Sequence, residues 1–258
     1  MYPVILRIGT FEITSFGLLV GVAALVALHL FGREARRSGL PEAAANAAVA
    51  GVLGGLIGAK VLWTIEFAGT APWTSLLFSR GGLSWFGGLI GGVGTGVLML
   101  RRARVPILSA VAAATPALAV GHANGRIGCF LVGDDYGRPT TLPWGVAFPL
   151  GLPPTDVPVH PTQLYETALL LPLAAFLIQV RRRGWPDRAV VGAYLLAAGA
   201  IRFGIEFVRV NLPVAGPLTV AQLISLGLIV VGGVLLASGR ARPAVSSPSP
   251  SAPRSRRR

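Results

Sequence analysis

Seven stretches of roughly 20 mostly apolar residues dominate this chain, and a helix of that length crosses the hydrocarbon core of a bilayer. Hydrophobic residues make up 53% of the sequence and charged residues only 13%, which argues against a soluble globular protein. The sequence therefore predicts an all-α, polytopic membrane protein with seven transmembrane helices. They are expected at residues 13–31, 43–65, 83–100, 107–124, 161–180, 189–208 and 219–237.

Arginines follow every second stretch, so they indicate which face of the membrane each end occupies. The groups are Arg33, Arg36 and Arg37; Arg101, Arg102 and Arg104; Arg181, Arg182, Arg183 and Arg188; and Arg240, Arg242, Arg254, Arg256, Arg257 and Arg258. Loops rich in basic residues stay in the cytoplasm, so the N-terminus is predicted outside and the C-terminus in the cytoplasm. The net charge of +13 then reflects membrane topology, and no nucleic-acid partner is expected.

The chain divides into a seven-helix membrane domain, residues 1–237, and a short tail, residues 238–258. The tail is rich in Pro, Ser and Arg and has almost nothing to bury, so we expect it to be disordered, basic and cytoplasmic, attracted to anionic membrane lipids. Glycines four residues apart in the second and third stretches are typical of close helix packing, although they could also line a groove. Cys129 is the only cysteine, which excludes an internal disulfide.

Charged residues inside the membrane are candidates for function. Arg202 and Glu206 lie four residues apart and share one face of the sixth helix, where they are expected to pair. The pair could serve function or only stability. Lys60, the only lysine, could act in a site or extend its ammonium group to the membrane surface.

Two further polar segments flank the predicted helices on the outer side. Residues 125–140, GRIGCFLVGDDYGRPT, combine two arginines, two adjacent aspartates and four glycines, a composition that favours capture of an anionic group at a membrane surface. Residues 160–166, HPTQLYE, begin the fifth helix, with Gln163 and Glu166 on one face. His160 could join the site or only cap the helix.

These segments resemble the family of bacterial prolipoprotein diacylglyceryl transferases. Residues 125–140 resemble its signature of a Gly-Arg-x-Gly-Asn/Cys-Phe core followed by an acidic or polar stretch and a glycine. Residues 84–91, SWFGGLIG, 160–166 and 202–209, RFGIEFVR, resemble three further family elements in the family order. Seven spans with an external N-terminus is also the family topology. The resemblance covers nearly the whole chain except the tail.

The resemblance implies transfer of the diacylglyceryl group of phosphatidylglycerol to the lipobox cysteine of a preprolipoprotein, in the bacterial inner membrane. A thiolate must displace a phosphate ester at carbon, which calls for cations around the phosphate and a base for the thiol. Arg126 is expected to bind the headgroup, together with Gly137 and Asp134. Arg202 supplies a second cation, Glu206 orients it, and His160 is the candidate base. No cofactor or metal is implied.

Several positions depart from the family pattern. Phe86 stands where a histidine proposed as the thiol base is frequent, Phe16 where a tyrosine is, and Ala112 where an acidic residue is. His160, His122, Glu206 and Asp134 are then the remaining candidates for the base. A catalytically diverged paralogue, or a seven-helix lipid-binding or transport protein, is the alternative interpretation.

Overall fold

The computed structural model describes residues 4–8, 11–79 and 82–239 and is mostly helical. Six helices are long and apolar enough to cross a membrane, so the chain is a multi-pass membrane protein. A seventh long helix, α4, falls below that hydropathy because it contains six glycines and ends in two arginines. The eight helices in the described part are α1 (Ser15–Arg37), α2 (Ala43–Glu66), α3 (Trp73–Leu77), α4 (Trp85–Arg102), α5 (Ile107–Val132), α6 (Thr162–Arg182), α7 (Asp187–Glu206) and α8 (Val220–Gly239).

The all-helical expectation is confirmed only in part, because two small antiparallel sheets accompany the helices. Strands β1 (Val4–Ile8) and β2 (Phe11–Thr14) pair before α1, and β3 (Val146–Phe148) pairs with β4 (Thr155–Val159) before α6. Each predicted span overlaps one long helix, whereas α3 was not predicted. The first helix begins at Ser15 rather than residue 13, since Thr14 Oγ1 caps it by accepting from Gly17 N at 3.1 Å. Residues 240–258, nearly all of the expected tail, lie outside the described residues.

The largest boundary error concerns α5, which was expected to end at residue 124 and instead continues to Val132. Gly125 and Gly128 stay helical, and the helix ends only at Gly133, whose φ of 71° gives the left-handed C-cap that glycine adopts without strain. Arg126 therefore lies on a helix, and it does not share a loop with Arg138.

Glycines bring α2 and α4 into backbone contact, in agreement with the packing interpretation of their spacing. A Cβ atom on Gly58 would overlap the Gly87 carbonyl oxygen, and one on Gly91 would overlap the Gly54 carbonyl oxygen. Lys60 ties the C-terminal end of α2 to the segment before α4, since its Nζ donates to Ser79 O at 2.8 Å and to Ser79 Oγ at 2.7 Å.

Helix α5 connects the two buried clusters and thereby positions the polar site. At one end Ala110 and Ala113 pack with Phe31 of α1 and Leu100 of α4. Along its length Ala112 and Ala123 belong to a second cluster, whose larger members come from α6 and α7: Leu170, Leu173, Leu177, Val190 and Val191. The last turns of α5 consequently face the first turn of α6 and the last turn of α7.

Candidate functional site

Arg126 lies buried near the C-terminal end of α5, between two carboxylates. Its Nε atom is 2.7 Å from Glu166 Oε2 at the start of α6, and its Nη1 donates to Asp135 Oδ2 at 3.0 Å. The side chain is only 9% exposed. Its Nη2 atom is buried and has no hydrogen-bond partner among the described residues. An unsatisfied guanidinium nitrogen is a binding position for an anion.

Arg202 and Glu206 form the predicted pair, and Arg209 extends it. Arg202 Nη2 lies 2.8 Å from Glu206 Oε2, which confirms the contact expected from their four-residue spacing. Arg202 Nη1 also donates to Glu166 Oε1 at 3.4 Å. Arg209 Nε approaches Glu206 Oε2 at 3.6 Å, while its Nη2 donates to Asp135 Oδ1 at 2.7 Å.

These contacts close into a ring in which cations and anions alternate. We call it the charge ring; in order, its members are Arg126, Glu166, Arg202, Glu206, Arg209 and Asp135. Three arginines and three carboxylates cancel, which lowers the cost of holding charge near hydrocarbon. Arg202 and Asp135, with side chains 28% and 44% exposed, give it an open side.

Asp135 is the exposed carboxylate of the charge ring, and it forms ion pairs with two of the three arginines, Arg126 and Arg209. Burial alone would raise the pKa of Asp135, but the charge and hydrogen bond of Arg209, together with Arg126, hold its pKa below the usual value. The backbone is left-handed here, with φ of 64°, a conformation that aspartate tolerates better than most residues. Asp135 is thus held as a carboxylate between two guanidinium groups, on the exposed side of the charge ring.

Asp134, expected to bind the headgroup, lies beside the charge ring without contacting its arginines through hydrogen bonds or ion pairs in the described residues. Its carbonyl oxygen accepts from Gln163 Nε2 at 2.6 Å. Burial raises the pKa of Asp134, and the neighbouring charge of Asp135 raises it further.

Gly137 packs closely against neighbouring protein atoms, which leave no room for a side chain at this position. A Cβ atom there would overlap the Val208 carbonyl oxygen and lie 2.8 Å from Thr162 Cγ2. The backbone of Arg138 donates to Val208 O at 2.8 Å. Gly137 thus lets the segment after α5 lie against the end of α7, which brings Asp135 to Arg209.

His160 is placed outside the charge ring and points its imidazole at Tyr165. Its Nδ1 lies 3.2 Å from Tyr165 Oη, and that hydroxyl accepts from Trp144 Nε1 at 2.8 Å. Because the tyrosine oxygen accepts from tryptophan, its own hydrogen is available to His160 Nδ1.

His122, another of the candidate bases, is the histidine that contacts the charge ring among the described residues. It lies on α5 one turn before Arg126, and its Nε2 is 3.6 Å from Glu166 Oε2. Glu166, Asp135 and Arg209 were not selected from the sequence, although Glu166 and Arg209 belong to quoted motifs and Asp135 is adjacent to Asp134. Among the described residues, no group of His, Cys, Asp and Glu side chains is arranged to hold a metal ion.

Comparison with known proteins identifies the family. The model of the prolipoprotein diacylglyceryl transferase family matches residues 3–238. The chain belongs to this family. It is 34% identical over 245 residues to the phosphatidylglycerol–prolipoprotein diacylglyceryl transferase of Geobacter sulfurreducens, covering 89% of this chain and 92% of that protein.

Two further relatives carry the same name. The protein of Coxiella burnetii is 34% identical over 249 residues, covering 91% of this chain and 94% of the relative. The protein of Clostridium tetani is 30% identical over 237 residues, covering 90% of this chain and 95% of that relative. The residues that the family model matches, 3–238, include every segment that contributes to the charge ring.

Proposed function

We propose that this protein transfers the diacylglyceryl group of phosphatidylglycerol to the lipobox cysteine thiol of preprolipoproteins and releases glycerol phosphate. The observation that supports this most directly is the buried, unsatisfied Nη2 atom of Arg126 inside a ring with two more arginines. A phosphodiester that enters there gains bidentate contacts to a guanidinium group. In this family, that phosphate belongs to the lipid headgroup.

Phosphate binding follows from replacement of Asp135. The headgroup phosphate takes the positions of the Asp135 carboxylate on Arg126 and Arg209, and Asp135 moves to solvent, to which it is already 44% exposed. The exchange substitutes one anion for another, so the net charge of the site stays unchanged. Asp134 and Gly137 belong to the proposal as residues that position this segment.

The reaction needs charge stabilisation where the phosphate leaves. The cysteine thiolate attacks the glyceryl carbon that carries the phosphate ester, the carbon–oxygen bond breaks, and negative charge accumulates on the departing phosphate. Arg202, with Nη2 held by Glu206 at 2.8 Å and a side chain 28% exposed, is positioned to stabilise that charge. His160 lies just before α6, with Nδ1 3.2 Å from Tyr165 Oη, near the end of α6 that carries Glu166.

An apolar groove of about 400 Å³ between α1, α2, α4 and α5 would hold an acyl chain. Its lining includes Leu118, eight residues before Arg126 on α5, and Ala110, sixteen residues before it. At 1.5 Å per residue, the groove therefore runs from about 12 to about 24 Å below the charge ring. A lipid whose phosphate lies at Arg126 can extend a chain into it.

The proposal includes the orientation with seven spans, the N-terminus outside and the C-terminus in the cytoplasm of a bacterial inner membrane. In that orientation the charge ring faces outward, on the side where the lipobox cysteine of a translocated preprolipoprotein emerges. The arginine clusters after alternate helices support it.

The test is complementation of a bacterial strain depleted of its own transferase, with purified protein assayed in parallel on phosphatidylglycerol vesicles and a lipobox peptide. We expect growth and formation of the thioether-linked diacylglyceryl peptide. Binding of phosphatidylglycerol without product would instead identify a catalytically diverged paralogue. Absence of both binding and product would contradict the proposal altogether.

A further inference from the structure

The three histidines of the chain occupy different environments. His29 lies on an exposed face of α1, two turns before its arginine-rich end. The Nδ1 atom of His160 faces the Tyr165 hydroxyl. His122 alone lies against the charge ring, with Nε2 at 3.6 Å from Glu166 Oε2.

Glu166 determines which nitrogen of His122 is available. A carboxylate only accepts hydrogen bonds, so the imidazole nitrogen that faces it carries the proton of the neutral ring. Nδ1 then keeps its lone pair, and it has no hydrogen-bond partner within the described part of the chain. The side chain is 48% exposed, so Nδ1 is accessible to a substrate. The 3.6 Å separation is slightly long for a hydrogen bond, as is common for such pairs before substrate binds.

The charges around His122 come from its own helix and two others. Arg126, four residues further along α5, shares Glu166 Oε2 at 2.7 Å, and Arg202 of α7 contacts Glu166 Oε1 at 3.4 Å. Glu166 itself belongs to α6. Helix α1 also packs against α5, and its charged residues lie toward its C-terminal end, away from His122: Arg33, Glu34, Arg36 and Arg37. Glu166 therefore lies between His122 and two arginines of the charge ring, directly beside the proposed phosphate position.

We propose that His122, oriented by Glu166, is the general base that removes the proton from the lipobox thiol. This inference rests on the proposed function. The S–H proton passes to His122 Nδ1, the thiolate forms a sulfur–carbon bond with the glyceryl carbon, and the carbon–oxygen bond to phosphate breaks with its electron pair on oxygen. The imidazolium then returns the proton to the departing glycerol phosphate. A histidine on α5 thus supplies the base in a chain that has Phe86 on α4.

The experiment compares His122→Ala and His122→Gln with wild type, and His29→Gln serves as the control with unchanged turnover. The assay uses phosphatidylglycerol vesicles and a lipobox peptide at pH 6 to 9. We expect both His122 variants to lose about 100-fold in kcat at pH 7, with little change in KM for phosphatidylglycerol. The deficit should shrink as the pH approaches the thiol pKa of about 8.5, and added imidazole should partly restore His122→Ala.

Each other outcome contradicts the inference in a distinct way. Full turnover by both variants beside an active wild type removes His122 from the reaction. If His122→Gln retains wild-type kcat while His122→Ala does not, His122 is only a hydrogen-bond partner for Glu166. A loss of kcat that neither pH nor added imidazole changes leads to the same conclusion. A wild-type protein that binds phosphatidylglycerol but forms no product overturns the proposed function, and this inference with it.

Discussion

Arg126 and Arg138 carry the same charge but make different contacts. Arg126 is buried between Glu166 and Asp135, whereas Arg138 is exposed and its Nε donates to the Arg209 carbonyl at 2.9 Å. We predict that Arg126→Lys lowers transfer by about 100-fold or more, because lysine keeps the charge and loses the planar fork. Arg138→Lys should cause a much milder loss. Initial rates with both variants decide this, and equal small losses would contradict the headgroup assignment.

Asp135 is expected to make the stability of the folded protein depend on pH. Its pKa is lowered in the folded protein, so the ionised carboxylate stabilises the fold above its unfolded pKa of about 3.9, and this contribution disappears as the pH falls through the lower folded value. Asp135→Asn should therefore reduce the thermal stability of the detergent-solubilised protein at pH 6, with a difference from wild type that vanishes in acid. A constant difference at every pH would contradict an electrostatic cause.

The same substitution also tests the exchange of anions. Asp135→Asn leaves Arg126 and Arg209 without their competing carboxylate, so phosphatidylglycerol should bind more tightly and its KM should fall. Asp134→Asn is the matched control, since Asp134 makes no ion pair with these arginines among the described residues. A raised KM in Asp135→Asn would mean that the carboxylate assists binding instead of yielding to phosphate.

Among the helices, the contact between α2 and α4 depends on the absence of particular Cβ atoms. In Gly91→Ala the new methyl group would overlap the Gly54 carbonyl oxygen and lie 3.0 Å from Gly58 Cα, whereas a Cβ atom on Gly94 of the same helix meets nothing within 4 Å. We predict that Gly91→Ala destabilises the protein by about 1–3 kcal/mol, as overpacking does. Thermal unfolding of both variants measures this. Gly94→Ala is the control, and its unfolding midpoint is expected at or above that of wild type because alanine is the better helix former.

At the level of elements, the sequence predicted which segments form long helices but not where α5 ends. Hydrophobic length alone locates the long helices, because the bilayer requires it. Glycine has a poor intrinsic helix propensity, which favoured a loop from residue 125. Packing of the last turns of α5 against α6 and α7 outweighs that preference. Gly125 and Gly128 stay helical, and Gly133 adopts the left-handed conformation that ends the helix.

Membrane orientation is tested on the whole molecule. A reporter fused after Arg183 should be cytoplasmic, and one inserted near Thr155 should be external, because the arginine clusters retain their loops on the inner side. Paired enzymatic reporters that are active on opposite sides of the membrane measure this. The reverse pattern would put the charge ring on the wrong side for lipoprotein maturation.

The site as a whole was only partly predictable, because its members are distant in sequence. The pairing of Arg202 with Glu206 follows from helical spacing and was confirmed. The contacts of Arg126 with Glu166 and of Asp135 with Arg209 join positions 40 and 74 residues apart, and no periodicity relates them. His122 and His160 could not be told apart by sequence, since only the fold brings His122 to the Glu166 carboxylate.

The charge ring also has a consequence for insertion of the protein into the membrane. Its six side chains come from three helices and the two segments that follow α5 and α7. The two ion pairs of Glu166 and the pair between Asp135 and Arg209 therefore exist only after those helices have met. A nascent chain with one helix undocked would display a bare arginine or carboxylate at the lipid surface, a costly state that favours completion. Substrate recognition and quality control of membrane insertion would then depend on the same six residues.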